Sequence, residues 1–397
     1  MKIKIENKIN IYYILSILYG ISLTIFGAIS YVYLVQSGFR YEQIGIYLST
    51  FWIITMIFEI PTGIMVDIYK HKITLLISNI IRIIGILLLA FNYANMSILL
   101  ISATLTGFSE AILSGNLTSW IVKEVNKSGI DIKLNVIFSR MSVLSTIFGL
   151  ISGYVGSEFL YKYDLRLPFI ISVLIFIINS VLIIIFFKKE NINNEDKENS
   201  ILKIENEYIE VLKQVKQTIF RKELYYFLTF YLIIDLINLG PSEQWQEVYK
   251  QNLGIIWVFI GLSGIIGNYI PSKINVNKIS IKRNLIIFLI FDTLIVFVQS
   301  VSSNFLPMFF IHIIIYSLLS IVLNTYKHSK LIKNDNIRTT VVSVLNTFDS
   351  MIMTILLSIN GILSTRIGIL NAWKIFLIIS ILFIFIISIW KEPQYDR

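Results

Sequence analysis

The residues of this chain that can do chemistry are charges and amides set inside long apolar runs. Glu59, Arg82, Glu110, Arg140, Asp235, Asp292, His312 and Asp349 all fall there, and an ionisable group in such a run marks either a functional site or a paired structural one. Glu110 stands near the middle of its run with Ser114 and Asn116 close after it, and Asp235 is followed by Asn238 one helical turn on. Carboxyls between low-dielectric walls can carry protons or hold a cation. Glu110, Asn116, Asp235 and Asn238, with Tyr316, are therefore the candidate proton-coupling or substrate-cavity residues. The competing account makes each carboxylate structural, paired with a Lys, Arg or amide of the next helix. Arg140 lies one turn into its run and reads as snorkelling to the interface, with an ion pair to Glu59 as the alternative. His312 reads as a lone hydrogen-bonded histidine, while His71 and His328 fall in loops, so no metal set forms. The chain has no Cys, which excludes disulfides and thiol catalysis. A phosphate-binding Gly-x-x-x-x-Gly-Lys loop, a nucleophile elbow and a dinucleotide fingerprint are all missing, which argues against an enzyme and against ATP as the energy source.

The elements that must position these residues follow from composition. Of 397 residues 55% are hydrophobic and 15% charged, with mean hydropathy +0.74, against about 45–50% and about 25% for a soluble domain. Apolar runs cover 10–34, 43–66, 73–91, 96–122, 136–160, 167–187, 223–247, 253–272, 284–303, 305–326, 339–364 and 370–390. A membrane helix needs about 20 apolar residues, so this spacing predicts twelve spans, with the first retained as a span. The polar stretch 188–222 separates two groups of six, and its second half (Ile201, Ile204, Tyr208, Val211, Leu212, Val215, Ile219) keeps a helical apolar period that predicts an interfacial helix. With the N-terminus inside, 26 of the 34 Lys and Arg fall in inner segments and six in outer loops, Arg82 and Arg140 lying in spans. That bias places both termini and the linker in the cytoplasm and leaves nucleic-acid binding without support. The halves 1–187 and 223–397 also echo one another. Arg140-Met-Ser-Val-Leu-Ser145 and Arg338-Thr-Thr-Val-Val-Ser343 open matching spans, and Arg82 follows Lys72 by the same ten residues that separate Asp292 from Lys282.

Glu59, Gly63 and Asp67 share one helical face at i, i+4, i+8, and Gly63 permits close approach of a neighbouring helix. The stretch from Phe58 to Lys72, Phe-Glu-Ile-Pro-Thr-Gly-Ile-Met-Val-Asp-Ile-Tyr-Lys-His-Lys, resembles the signature of the major facilitator superfamily, Gly-x-Leu-Ala-Asp-Arg-x-Gly-Arg-Lys. Gly63, Asp67 and Lys72 match it, while Ile68, Lys70 and His71 replace its Arg, Gly and Arg. Glu59-x-Pro-Thr-Gly and the Gly107-Phe-Ser-Glu110 stretch are similar to efflux members. The resemblance implies an all-α integral membrane protein of twelve transmembrane helices in two six-helix pseudo-repeats. It implies a gating role for Glu59, Gly63, Asp67, Lys72, Arg140 and Arg338, with Asp67 accepting from the start of span eleven. Spans 1, 4, 7 and 10 would line the cavity, which makes Arg82 and Asp292, on outer supporting spans, structural. The expected function is a secondary active transporter in the cell membrane, a monomer without cofactor, exporting a hydrophobic drug or small metabolite in exchange for protons. Uptake or exchange of a narrow metabolite, and a non-transporting sensor on the same fold, are the alternatives. Tyr31, Tyr33, Tyr225, Tyr226, Tyr231 and Tyr316 could line an apolar cavity with polar tips. Trp52, Trp120, Trp245, Trp373 and Trp390 suit an interfacial belt.

Overall fold

In hydrocarbon a backbone can satisfy its own N–H and C=O groups only as a helix or a closed barrel, and the apolar runs of this chain all take the first solution. The computed structural model describes residues 2–92, 94–130, 133–187, 222–273, 281–302, 304–330 and 335–391. The helices are α1 (Lys2–Gly27), α2 (Ser30–Gln36), α3 (Tyr41–Ala90), α4 (Met96–Leu113), α5 (Asn116–Ser128), α6 (Leu134–Val155), α7 (Leu167–Phe186), α8 (Lys222–Tyr249), α9 (Leu253–Tyr269), α10 (Ile281–Val301), α11 (Leu306–Lys330), α12 (Asp335–Ile367) and α13 (Ile369–Ile389). A wide π turn, Gly156–Leu160, carries α6 on to Tyr163. No strand occurs among the described residues. Ten of these segments are long and apolar enough to cross a membrane, so the protein is a multi-pass membrane protein. The amphipathic helix expected over 201–219 lies outside the described residues, as do the side chains of Asp67 and Arg338.

The chain forms two units, one of Met1–Phe39, Thr50–Glu205 and Asn252–Val258, the other of Arg40–Ser49, Asn206–Gln251 and Phe259–Arg397. In the first, α1 packs on α5, α6 and α7, and Leu15, Trp120, Ile121, Ile137 and Ile183 form part of its core. In the second, α8, α10 and α13 surround a core that includes Tyr226, Phe227, Phe230, Leu289, Leu319 and Trp373. On α13 the buried positions Trp373, Phe376, Leu377, Ser380, Ile384 and Ile387 oppose an exposed stripe of Ile378, Ile381, Leu382, Phe385 and Ile389. This is a helix with one protein face and one lipid face. Three expected belt residues belong to the interior instead: Trp120, Trp245 and Trp373 are buried. Trp373 spends its N–H on the side-chain oxygen of Gln244, 2.8 Å away, so its polar end needs no headgroup.

One loop expected from sequence is shorter than expected, and one run expected to be continuous is broken. The loop between the second and third runs reduces to one non-helical residue, Lys70, at φ +67° and ψ +163°, and His71 is buried in the following helix rather than in a loop. The run 96–122 is broken at Ser114–Gly115, with Gly115 at φ +70°, which leaves Asn116 at the head of α5. His71 Nδ1 lies 2.8 Å from Asn116 Oδ1, and Asn116 Nδ2 donates to Thr74 Oγ1 at 2.9 Å. Thr74 in turn donates to the Lys70 carbonyl at 2.8 Å. This chain of bonds pins the sharp turn to the start of α5, and it compensates a backbone conformation that side chains other than glycine rarely adopt. Replacing Lys70 by Gly should relieve that strain and stabilise the protein by about 1 kcal/mol, read as a higher melting temperature in detergent. Lys70→Ala should leave the melting temperature unimproved.

Candidate functional site

Inside a membrane a charged side chain must find its partners in the protein, so the polar residues of the spans are best read through what they touch. In the first unit Arg82 of α3 is buried and pairs with Glu110 of α4. Its Nε donates to Ser109 Oγ at 3.1 Å and its outer nitrogen to the Tyr19 hydroxyl at 3.3 Å, and that hydroxyl donates to Glu110 Oε2 at 2.7 Å. Helices α1, α3 and α4 thus meet at one fully bonded ion pair. Glu110, one of the two leading proton-carrier candidates, has a permanent cation beside it. Asn116, expected in the cavity with Glu110, is taken up by His71 and Thr74.

The second unit holds two polar groupings. Asp235 of α8 is hydrogen-bonded through its carboxyl to Asp349 of α12, and its Oδ2 is buried without a hydrogen-bond partner. Asp235 makes no ion pair among the described residues. Tyr231, one turn before Asp235, donates to Asn324 at 3.2 Å. The other grouping joins three helices. His312 of α11, fully buried, places Nδ1 2.8 Å from Asp292 Oδ1 of α10 and Nε2 3.1 Å from Asn238 Oδ1 of α8. The lone histidine and the supporting-span aspartate of the sequence reading are one cluster, and Asn238 belongs to it. The Tyr316 ring lies 6.3 Å from that of His312.

The residues tied to gating are spread along α3, α6 and α12. Glu59, Gly63 and Arg140 are exposed, and no ion pair joins Glu59 to Arg140. Lys72 donates to the carbonyls of Ile184 at 3.0 Å and Phe187 at 2.6 Å, capping the C-terminal end of α7 where the helix dipole favours a cation. Lys282 does the same for α13, donating to Ser388 at 3.2 Å and Trp390 at 2.5 Å. The ten-residue spacings to Arg82 and Asp292 were the sequence signal that the two positions correspond. Tyr19 and Asp349 carried no comparable signal. Of the tyrosines expected to line a cavity, Tyr31, Tyr33 and Tyr226 are buried, with the Tyr33 hydroxyl bonded to Ala90 O at 2.8 Å. A cavity of about 400 Å³ among Tyr41, Glu247, Lys250, Gly368 and Asn371 lies at helix ends, its carboxylate already held by Lys250 at 2.7 Å.

Residues 12–394 match the family model of the Major Facilitator Superfamily. The chain belongs to that superfamily. A curated relative, the uncharacterized MFS-type transporter YxaM of Bacillus subtilis (strain 168), is 23% identical over 268 residues, covering 65% of this chain and 64% of the relative. Among solved structures the nucleoside transporter NupG superposes with TM-score 0.74 at 14% identity, covering 97% of this chain and all of that one. A bacterial homolog of the human lysosomal transporter Spinster gives 0.71 at 13% over 97% of each chain. A POT family transporter in complex with 5-aminolevulinic acid gives 0.69 at 11%, over 96% of this chain and 95% of that one. These likenesses show the fold.

The Arg82–Glu110 junction yields a sharp test in this superfamily member. Arg82→Leu strands a carboxylate and should cost about 3–5 kcal/mol, whereas Arg82→Leu combined with Glu110→Leu should recover most of that loss. Melting temperatures of the two variants in detergent give the comparison.

Proposed function

We propose that this protein is a secondary active transporter of the cell membrane, with cytoplasmic termini, that exports a hydrophobic or amphipathic small molecule in exchange for protons by alternating access. The observation that carries the coupling part is the Asp235–Asp349 carboxyl pair. It is the one place in the described spans where two carboxyls contact each other, and a pair that shares a proton can trade it for a cationic or hydrogen-bonding group. Glu110 is not available for that role while Arg82 compensates it. Two other polar groups of α8 are engaged within the protein: Gln244 bonds Ser364 and Trp373, and Asn238 bonds His312. In this reading Gly63, Asp67 and Arg338 form the gate seam and Lys72 holds it to the end of α7, with the two units as six-helix repeats. Uptake of a narrow metabolite is the second reading, favoured by the Tyr231–Asn324 bond, which keeps two further polar groups near the carboxyl pair.

Cells carrying the protein should extrude a lipophilic cationic dye, with extrusion abolished by a protonophore. Asp235→Asn and Asp349→Asn should each lower the extrusion rate at least tenfold, and Glu110→Gln should reduce it through stability alone, in proportion to protein level. Extrusion unaffected by Asp235→Asn would remove the carboxyl pair from the mechanism.

A further inference from the structure

The two units each build a three-helix junction around one ion pair, and the charges are inverted between them. In the first, α1, α3 and α4 meet at Tyr19, Arg82 and Glu110, with the cation on α3. In the second, α8, α10 and α11 meet at Asn238, Asp292 and His312, with the carboxylate on α10. Arg82 and Asp292 each follow by ten residues the lysine that caps a helix end, so the two junctions occupy matching places. Their chemistry differs in one respect. A guanidinium keeps its proton at any working pH, whereas an imidazole gains and loses one. The first junction is permanent and the second is switchable.

We propose that His312 is a proton-binding site of this protein, taking up and releasing the proton at Nε2 while Nδ1–H stays on Asp292, and that Asn238 registers which state is present. With its amide oxygen toward the ring, Asn238 accepts from Nε2–H, and both ring nitrogens face acceptors. When that proton leaves, Nε2 offers a lone pair, and the Asn238 amide turns over to donate to it, since oxygen and nitrogen exchange places by rotation of the side chain. The proton balance is simple: the protonated ring and ionised Asp292 form a neutral pair, and release leaves one net negative charge and a proton in water. Because the ring is fully buried, exchange with water requires α8 and α11 to part, which couples proton occupancy to the positions of those helices. The groups facing the ring can be named from each packed element. Asp292 comes from α10, Asn238 from α8, and Phe309 and Tyr316 from α11 itself. Asp235, Glu243 and Asp349 act on Tyr316, leaving Asp292 as the charged partner of His312 among the described residues. The site rests on the transporter reading but not on the carboxyl pair as coupling site.

The test uses the full chain in lipid nanodiscs with ¹⁵N-labelled histidine, the His312 signals being assigned by their loss in His312→Gln. As pH is raised across the series the ring should pass from doubly to singly protonated, with Nε2 as the nitrogen that changes. Asn238→Leu should shift that transition by a pH unit or more, and Asp235→Asn should leave it in place, so failure here and failure of the carboxyl-pair reading are seen separately. A ring held in one protonation state throughout overturns the proposal, as does a transition indifferent to Asn238→Leu. Should His312→Gln not fold, His312→Arg keeps a cation opposite Asp292, as Arg82 does opposite Glu110. Because the chain lacks cysteine, one introduced at the buried Ile315 of α11 can report the opening of α11 by its maleimide labelling rate. The ratio of that rate in the His312 protein to that in His312→Arg should change at least threefold across the pH range. A constant ratio overturns the coupling of proton to helix position.

Discussion

A polar group placed in hydrocarbon has no water to fall back on, and most of those described in this protein's spans are met by another part of the chain. That requirement does more to organise the molecule than hydrophobic burial, since the lipid side of a helix is as apolar as its protein side. It sets which helices meet. The guanidinium of Arg82 gathers α1, α3 and α4, and the imidazole of His312 gathers α8, α10 and α11. The free carbonyls at the ends of α7 and α13 each draw in a lysine, and Asn79 bonds Asn179 at 3.0 Å to join α3 to α7. Apolar contact fills the space between these fixed points.

How much of this could be read in advance depends on the length scale of the signal. Runs of apolar residues mark spans directly, because hydrocarbon thickness fixes their length: ten of the twelve runs hold a helix long and apolar enough to cross a membrane, while 43–66 is the first part of α3 and 253–272 forms the shorter apolar helix α9. The break at Lys70 was visible only as a departure from the superfamily signature at its glycine, and the structure keeps the turn at the cost of backbone strain. Partners were much harder to see. In helices as apolar as α13 the periodic contrast between faces is faint, so the sequence does not say which way Glu110 or Trp373 points. Glu110 was weighed as carrier or as structural carboxylate, and only the position of Arg82 on the adjacent helix decides what it touches. The Asp292–His312 pair was hidden for a related reason: each residue was considered on its own span, while their contact depends on the rotation of two helices. The ten-residue spacing after Lys72 and Lys282 was the exception, a long-range hint preserved because both lysines do the same capping job.

The two units hold their buried ion pairs with different chemistry. The first sets the permanent guanidinium of Arg82 against Glu110, and a buried imidazole, His71, bonds Asn116 nearby on the chain. The second sets His312 against Asp292 and brings the carboxyls of Asp235 and Asp349 together on α8 and α12. Asp235 and Asn238 lie one turn apart on the same face of α8, so a single helix touches both groupings.

The position of Arg82 also bears on how the protein is made. The helix that carries it, Ile68–Ala90, leaves the ribosome before Glu110, which lies 28 residues further along the chain. It reaches the bilayer with an arginine whose carboxylate has not yet emerged beside it, at an insertion cost of about 2.5–3.5 kcal/mol for a central position. The Ile and Leu residues on either side of Arg82 work against that cost, a demand of biogenesis that leaves no trace in the finished ion pair.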